Sequence, residues 1–174
     1  MTTGLDAFDS TLQQTNLWLK DIMERTGTND RHLAYQLLRA TLHVIRDRIG
    51  PENAVHLGAQ LPTLIRGFYY DGWKMTHTPT RTRHLADFLD DIEYEARRQL
   101  GSDTEEIIKA VFEVIGEHIA PGEMEKLAKV LPAELRELEQ NPSILNREGF
   151  PKAANSDSHY LLEMEASRYG QIFI

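Results

Sequence analysis

Residues 67–75 read GFYYDGWKM, and they concentrate the side chains most able to do chemistry. Phe68, Tyr69, Tyr70 and Trp73 stand within six positions, beside Asp71 and Lys74. Rings at this density can form a recognition platform, with Asp71 and Lys74 orienting a ligand or partner. They can also be structural: Phe68, Tyr69 and Tyr70 close a helix and Trp73 folds back as a plug. Gly67 and Gly72 would then allow close packing and a left-handed turn. Aromatic mass most often serves cores and interfaces, which weighs toward the structural role.

Other reactive groups are scattered. There are seven histidines and no cysteine, which removes disulfides, thiolate zinc sites and cysteine nucleophiles. His43 and Asp47 lie one turn apart on a helical pattern, but Arg39, Arg46 and Arg48 beside them point to a solvated, ion-paired face. Glu113, Glu117 and His118 stand 70 positions after His43, Asp47 and Arg48, so this chemistry is not kept between the two segments, which also favours a surface. In DDIEYE, Asp90, Asp91, Glu93 and Glu95 are spread around a helix rather than gathered in a calcium loop. Arg97 and Arg98 follow them, acid first and base last, as a helix dipole favours. No phosphate-binding, dinucleotide-binding or nucleophile-elbow motif occurs. No catalytic residue, metal ligand or cofactor site is therefore expected.

The elements that must position these groups are helical. Leu37, Leu38, Thr41, Leu42, Ile45 and Ile49 recur at three- and four-residue spacing. Segments 37–68 and 107–138 share nine identities at an offset of 70, including Pro51/Pro121 and Pro62/Pro132. Repeated proline punctuation argues for repeated helix starts. Upstream, Phe8, Leu12, Thr15, Leu19 and Ile22 form a stripe that Leu85, Leu89, Ile92 and Ala96 answer at an offset of 77. Asp30 and Asp103 suit the N-caps of the second helices. The spacing predicts helices over 6–25, 30–49, 51–60, 62–70, 83–99, 103–119, 121–130 and 132–139. The expected fold is all-α: two tandem repeats of about four helices, packed as one pseudo-two-fold bundle, plus a C-terminal tail. Repeat 1 would occupy 1–70, a linker 71–82, repeat 2 83–139 and the extension 140–174.

FDSTLQQTNLWLKDI, AYQLLRATLHVIRDRI and HLGAQLPTLIRGFYYDGW together resemble the bacterial and archaeal family catalogued as domain of unknown function 2267. The matching positions are Trp18 and Leu19, Leu38 to Arg48, and Ala59 to Trp73, and the likeness covers about 5–138. The resemblance implies an α-helical fold and a bacterial or archaeal cytosolic setting; it implies no catalytic residues.

Formal net charge is −8, with net zero in 1–80, −7 in 81–140 and −1 in 141–174. An acidic second half repels phosphate backbones, so no nucleic-acid partner is expected. No stretch approaches the ~20 apolar residues of a membrane span, and MTTGLDAFDSTLQQ lacks a signal-peptide pattern, so a cytoplasmic location is expected. In the extension, Tyr160, Leu161 and Met164 fall on neighbouring turns, and Ile172, Phe173 and Ile174 are apolar. These residues could pack on their own domain or grip another chain. The sequence thus points to a non-catalytic interaction, accessory or scaffold protein with homo-oligomer potential. Its contact candidates are 68–73 and 160–174. The rival is a small-molecule binder or enzyme with a cleft near Trp73, using Tyr69, Tyr70 and Asp71 with His43 or Arg66.

Overall fold

The computed structural model describes residues 3–80 and 84–130; the helix expected at 132–139 and the extension, with Tyr160, Leu161, Met164, Ile172, Phe173 and Ile174, lie outside them. The described residues form seven α-helices and no strand: α1 Asp6–Thr26, α2 Arg31–Arg48, α3 Pro51–Gln60, α4 Thr63–Tyr70, α5 Leu85–Ala96, α6 Thr104–His118 and α7 Glu123–Val130. No helix among them is long and apolar enough to cross a membrane.

Local signals explain most boundaries. Asp30 caps α2, accepting from the backbone N–H groups of His32 and Leu33 at 2.9 and 3.1 Å. Pro51 opens α3, where its missing N–H costs nothing. Asp103 precedes α6 but makes no side-chain cap. Instead Glu93 accepts from the Thr104 hydroxyl and the Leu100 N–H, so an acid on α5 holds the turn into α6.

The expected single stripe of α2 is wrong in extent. Ala40 to Arg46 is buried without interruption, because α1, α3, α4, α5 and α6 all pack on this helix. A helix enclosed on all sides must hide its polar residues too, so His43 and Arg46 are only 4% and 3% exposed and Arg48 is also buried. The solvated face expected for these groups is corrected: they belong to the interior.

The main long-range packing pairs α1 with α6 and α2 with α5. Burial in the first helix also follows an offset of 70, beside the expected 77. Buried Trp18, Ile22 and Thr26 fall 70 residues before buried Phe88, Ile92 and Ala96. The left-handed C-caps agree, Gly27 at φ 67° and Arg97 at φ 55°. Seven residues make about two turns, so both offsets present the same stripe to sequence inspection. Phe8 and Leu12 are exposed, and α1 runs past the core by two turns.

Gly58 decides how α3 meets the end of α4. A Cβ there would sit 2.1 Å from the Tyr70 hydroxyl oxygen. Gly58→Ala is expected to lower stability by about 1–3 kcal/mol through overpacking. The check is urea denaturation of the variant alone and in a Tyr70→Leu background, where the cost should shrink. Gly67 has no such role, since nothing lies within 4 Å of an added Cβ, whereas Gly72 does take the left-handed conformation, φ 64°.

Candidate functional site

The aromatic segment ends α4 and turns back over α2. Phe68 meets Tyr35 edge-on with centroids 5.4 Å apart. Tyr69 is fully buried and its hydroxyl donates to the Ala54 carbonyl at 2.8 Å. Burial holds this phenol well above its ordinary pKa, so it serves as a neutral donor. Tyr70 stacks on Trp73, centroids 5.7 Å apart. The Arg46 guanidinium lies over Trp73 at 5.8 Å and Tyr69 at 6.0 Å, within cation–π range. Phe68, Tyr70 and Trp73 are half-buried, and Asp71 is exposed. The rings thus spend much of their area on one another and on α2.

Beneath them lies a polar clasp. Arg46 donates to the carbonyls of Tyr69 and Asp71, and to the Asp47 carboxylate at 2.8 Å. It therefore satisfies carbonyls left open at the C-terminus of α4. One turn earlier, His43 Nδ1 donates to Glu95 at 2.8 Å and Nε2 to the Phe68 carbonyl at 2.5 Å. Arg39 reaches the same carboxylate at 2.9 Å and Asp71 at 3.8 Å. The His43 hydrogen bond, then the charges of His43 and Arg39, hold Glu95 below the usual carboxylate range against the effect of burial. Both ring nitrogens of His43 face acceptors. One histidine thereby ties α2 to α4 and α5.

A second polar seam joins α1 to α6. His118 stacks on Trp18 with centroids 4.8 Å apart, and its Nε2 donates to Asp21 at 2.7 Å. Arg25 pairs with Glu113 at 2.8 Å and with Glu117. At the corresponding end of α2, Arg48 lies 5.1 Å over Phe88 and pairs with Asp91 at 2.6 Å. Glu113 and His118, expected on an open surface, instead hold two helices together, while Glu117 stays exposed.

A groove of about 410 Å³ opens between α1, the α3–α4 joint and the end of α6, and no residue of 68–73 lines it. Among the described residues, no group of three or more His, Asp or Glu side chains could hold a metal ion. The clasp was hidden from sequence inspection because Glu95 sits 52 residues from His43. The available signal was charge inside an apolar run: a histidine and an arginine among Leu42, Val44 and Ile45.

Fold and clasp together define an all-helical bundle whose buried ionic groups join one helix to the next. The family model described as Uncharacterized conserved protein (DUF2267) matches residues 15–138, and the chain belongs to that family. The match begins at Thr15, the first buried residue of α1. No curated protein matches the chain.

Proposed function

We propose that this protein is a non-catalytic helical binding module, an accessory or scaffold subunit that docks partners on the protruding end of α1. The observation that carries this reading is the stripe of Leu5, Phe8 and Leu12, exposed by 55%, 56% and 39%. These residues continue the core-facing side of α1 past the last buried position, Thr15. The stripe lies just before the family-matched region, residues 15–138. Its occupant is an amphipathic helix of another protein with a basic rim, because residues 3–19 carry Asp6 and Asp9 and no basic group.

The bundle itself is read as two tandem repeats about a pseudo-two-fold axis. The exchange of partners between α1–α6 and α2–α5 supports this, as do the equivalent aromatic–acid pairs Trp18/Asp21 and Phe88/Asp91 beneath His118 and Arg48. In that frame the counterpart of 6–10 is 76–80, which lies outside α5.

The test is parallel affinity capture with the wild-type chain and a Phe8→Asp/Leu12→Asp variant, each followed by intact-mass measurement of the complex. Melting temperatures should agree within a few degrees, because exposed substitutions have small effects. The wild type should hold a second protein that the variant releases. Equal retention by both chains, capture of nothing, or a homo-oligomer would overturn the reading.

A further inference from the structure

His43 is the group on which three helices meet, and its contacts ask for more protons than a neutral ring carries. It is buried in the middle of α2. Nδ1 stands 2.8 Å from the Glu95 carboxylate on α5, and Nε2 stands 2.5 Å from the Phe68 carbonyl near the end of α4. A carboxylate and a carbonyl only accept, whereas a neutral imidazole has one N–H. A single ring proton therefore serves one contact, and the other contact then sets two lone pairs against each other. The charged groups around the ring are Arg39, Arg46 and Asp47 on its own helix, Glu95 on α5 and Asp71 after α4. The bond from His43, and then the charges of His43 and Arg39, hold the Glu95 carboxyl below the usual carboxylate range against burial, so it is an anion at neutral pH. An anion is a stronger acceptor than a backbone carbonyl, so a last ring proton stays on Nδ1. The bond to Phe68 is the one given up.

We propose that His43 makes the end of α4 a pH-sensitive latch. With both ring nitrogens protonated, the ring pins α4 to α2 and α5; with one proton gone, Nε2 no longer donates and the Phe68 carbonyl comes free. A histidine ring changes its charge between about pH 5 and 8. The latch is closed on the acid side and opens as pH rises, and the stability it contributes is lost in that direction. The opening is local. Arg46 still holds the carbonyls of Tyr69 and Asp71, and the Thr80 N–H still donates to the Asp47 carbonyl at 2.8 Å. What loosens is the aromatic end of α4, where Phe68 meets Tyr35 and Tyr70 stacks on Trp73. The buried Trp73 indole N–H finds no acceptor among the described residues, so it adds nothing to keep that ring down.

The experiment follows the full-length ¹⁵N-labelled chain by NMR from about pH 5 to about pH 8.5, spanning histidine titration. The amide signals of Phe68, Tyr69, Tyr70 and Trp73 should move with one midpoint, shared with the His43 ring. Exchange protection of the Phe68, Tyr69 and Tyr70 amides, corrected for its intrinsic pH dependence, should fall at least about tenfold across that midpoint, as expected when a charged hydrogen bond is lost. His43→Gln should leave these signals flat, because an amide does not titrate in this range. Since His43 is a core residue, a second variant keeps the test open: Glu95→Gln removes the neighbouring anion and should move the midpoint to lower pH by about one unit or more. Signals of 68–73 that do not follow the ring, equal protection on both sides of its midpoint, or an unmoved midpoint in Glu95→Gln would overturn the proposal.

Discussion

Trp18→Ala is expected to lower stability by about 3–5 kcal/mol, the largest loss from any one substitution in the described core. Trp18 is the largest fully buried side chain, 2% exposed, at the seam where α1 meets α6. Truncation removes apolar burial and leaves a cavity that two rigid helices can only partly close. It also takes the stacking surface from His118, loosening the His118–Asp21 bond at the same place. Against a typical stability of 5–15 kcal/mol, such a loss brings a chain of this size near its threshold. Urea denaturation should show a much lower midpoint with an unchanged slope. Phe8→Ala, at an exposed ring of the same helix, should shift the midpoint little, and the contrast separates burial from helix propensity.

Glu95→Gln is expected to cost about 1–3 kcal/mol at neutral pH and almost nothing in acid. The carboxylate accepts from His43 and Arg39, and an amide can accept only one such charged bond well while its NH₂ faces donors. Glu95 has its folded pKa depressed below the ordinary 4.5. A group of that kind contributes stability that is present above its unfolded value and disappears as pH falls through its folded value. Stability curves for the wild type and Glu95→Gln should therefore stand apart above about pH 4.5 and converge below it. Parallel curves across that window would show that the carboxylate charge is not what joins α5 to His43. The double variant with His43→Gln, compared with the two singles, measures the coupling directly.

Much of this architecture is legible in the sequence because helices announce themselves by period and punctuation. Pro51 starts α3, Asp30 caps α2, and the stripe through Leu38, Leu42 and Ile45 marks a core face. What the pattern cannot give is how many neighbours a helix has. α2 has five, so His43, Arg46 and Arg48 are interior groups although charge alone says surface. Register fails for a related reason: a heptad shift preserves an apolar stripe, and the exposure of Phe8 and Leu12 is a property of α6 ending, not of α1. GFYYDGW was recognisable as a special segment, and its glycine at 72 as a turn. Its reliance on Arg46 and Gly58 was not visible, because those residues lie 27 and 12 positions before Trp73 and Tyr70. The groove is still less legible, being assembled from four helices spread from Gln14 to His118.

The pairing of α1 with α6 also has a consequence during synthesis. Arg25 and Asp21 find their partners 88 and 97 residues later. A ribosome that has released only the first four helices therefore presents the Trp18 indole without the His118 ring that covers it in the finished molecule. Closing such distant contacts makes folding slow relative to a bundle of sequential hairpins. For that interval the Trp18 face of α1 stays open to solvent, and its seam with α6 closes only when His118 has left the exit tunnel.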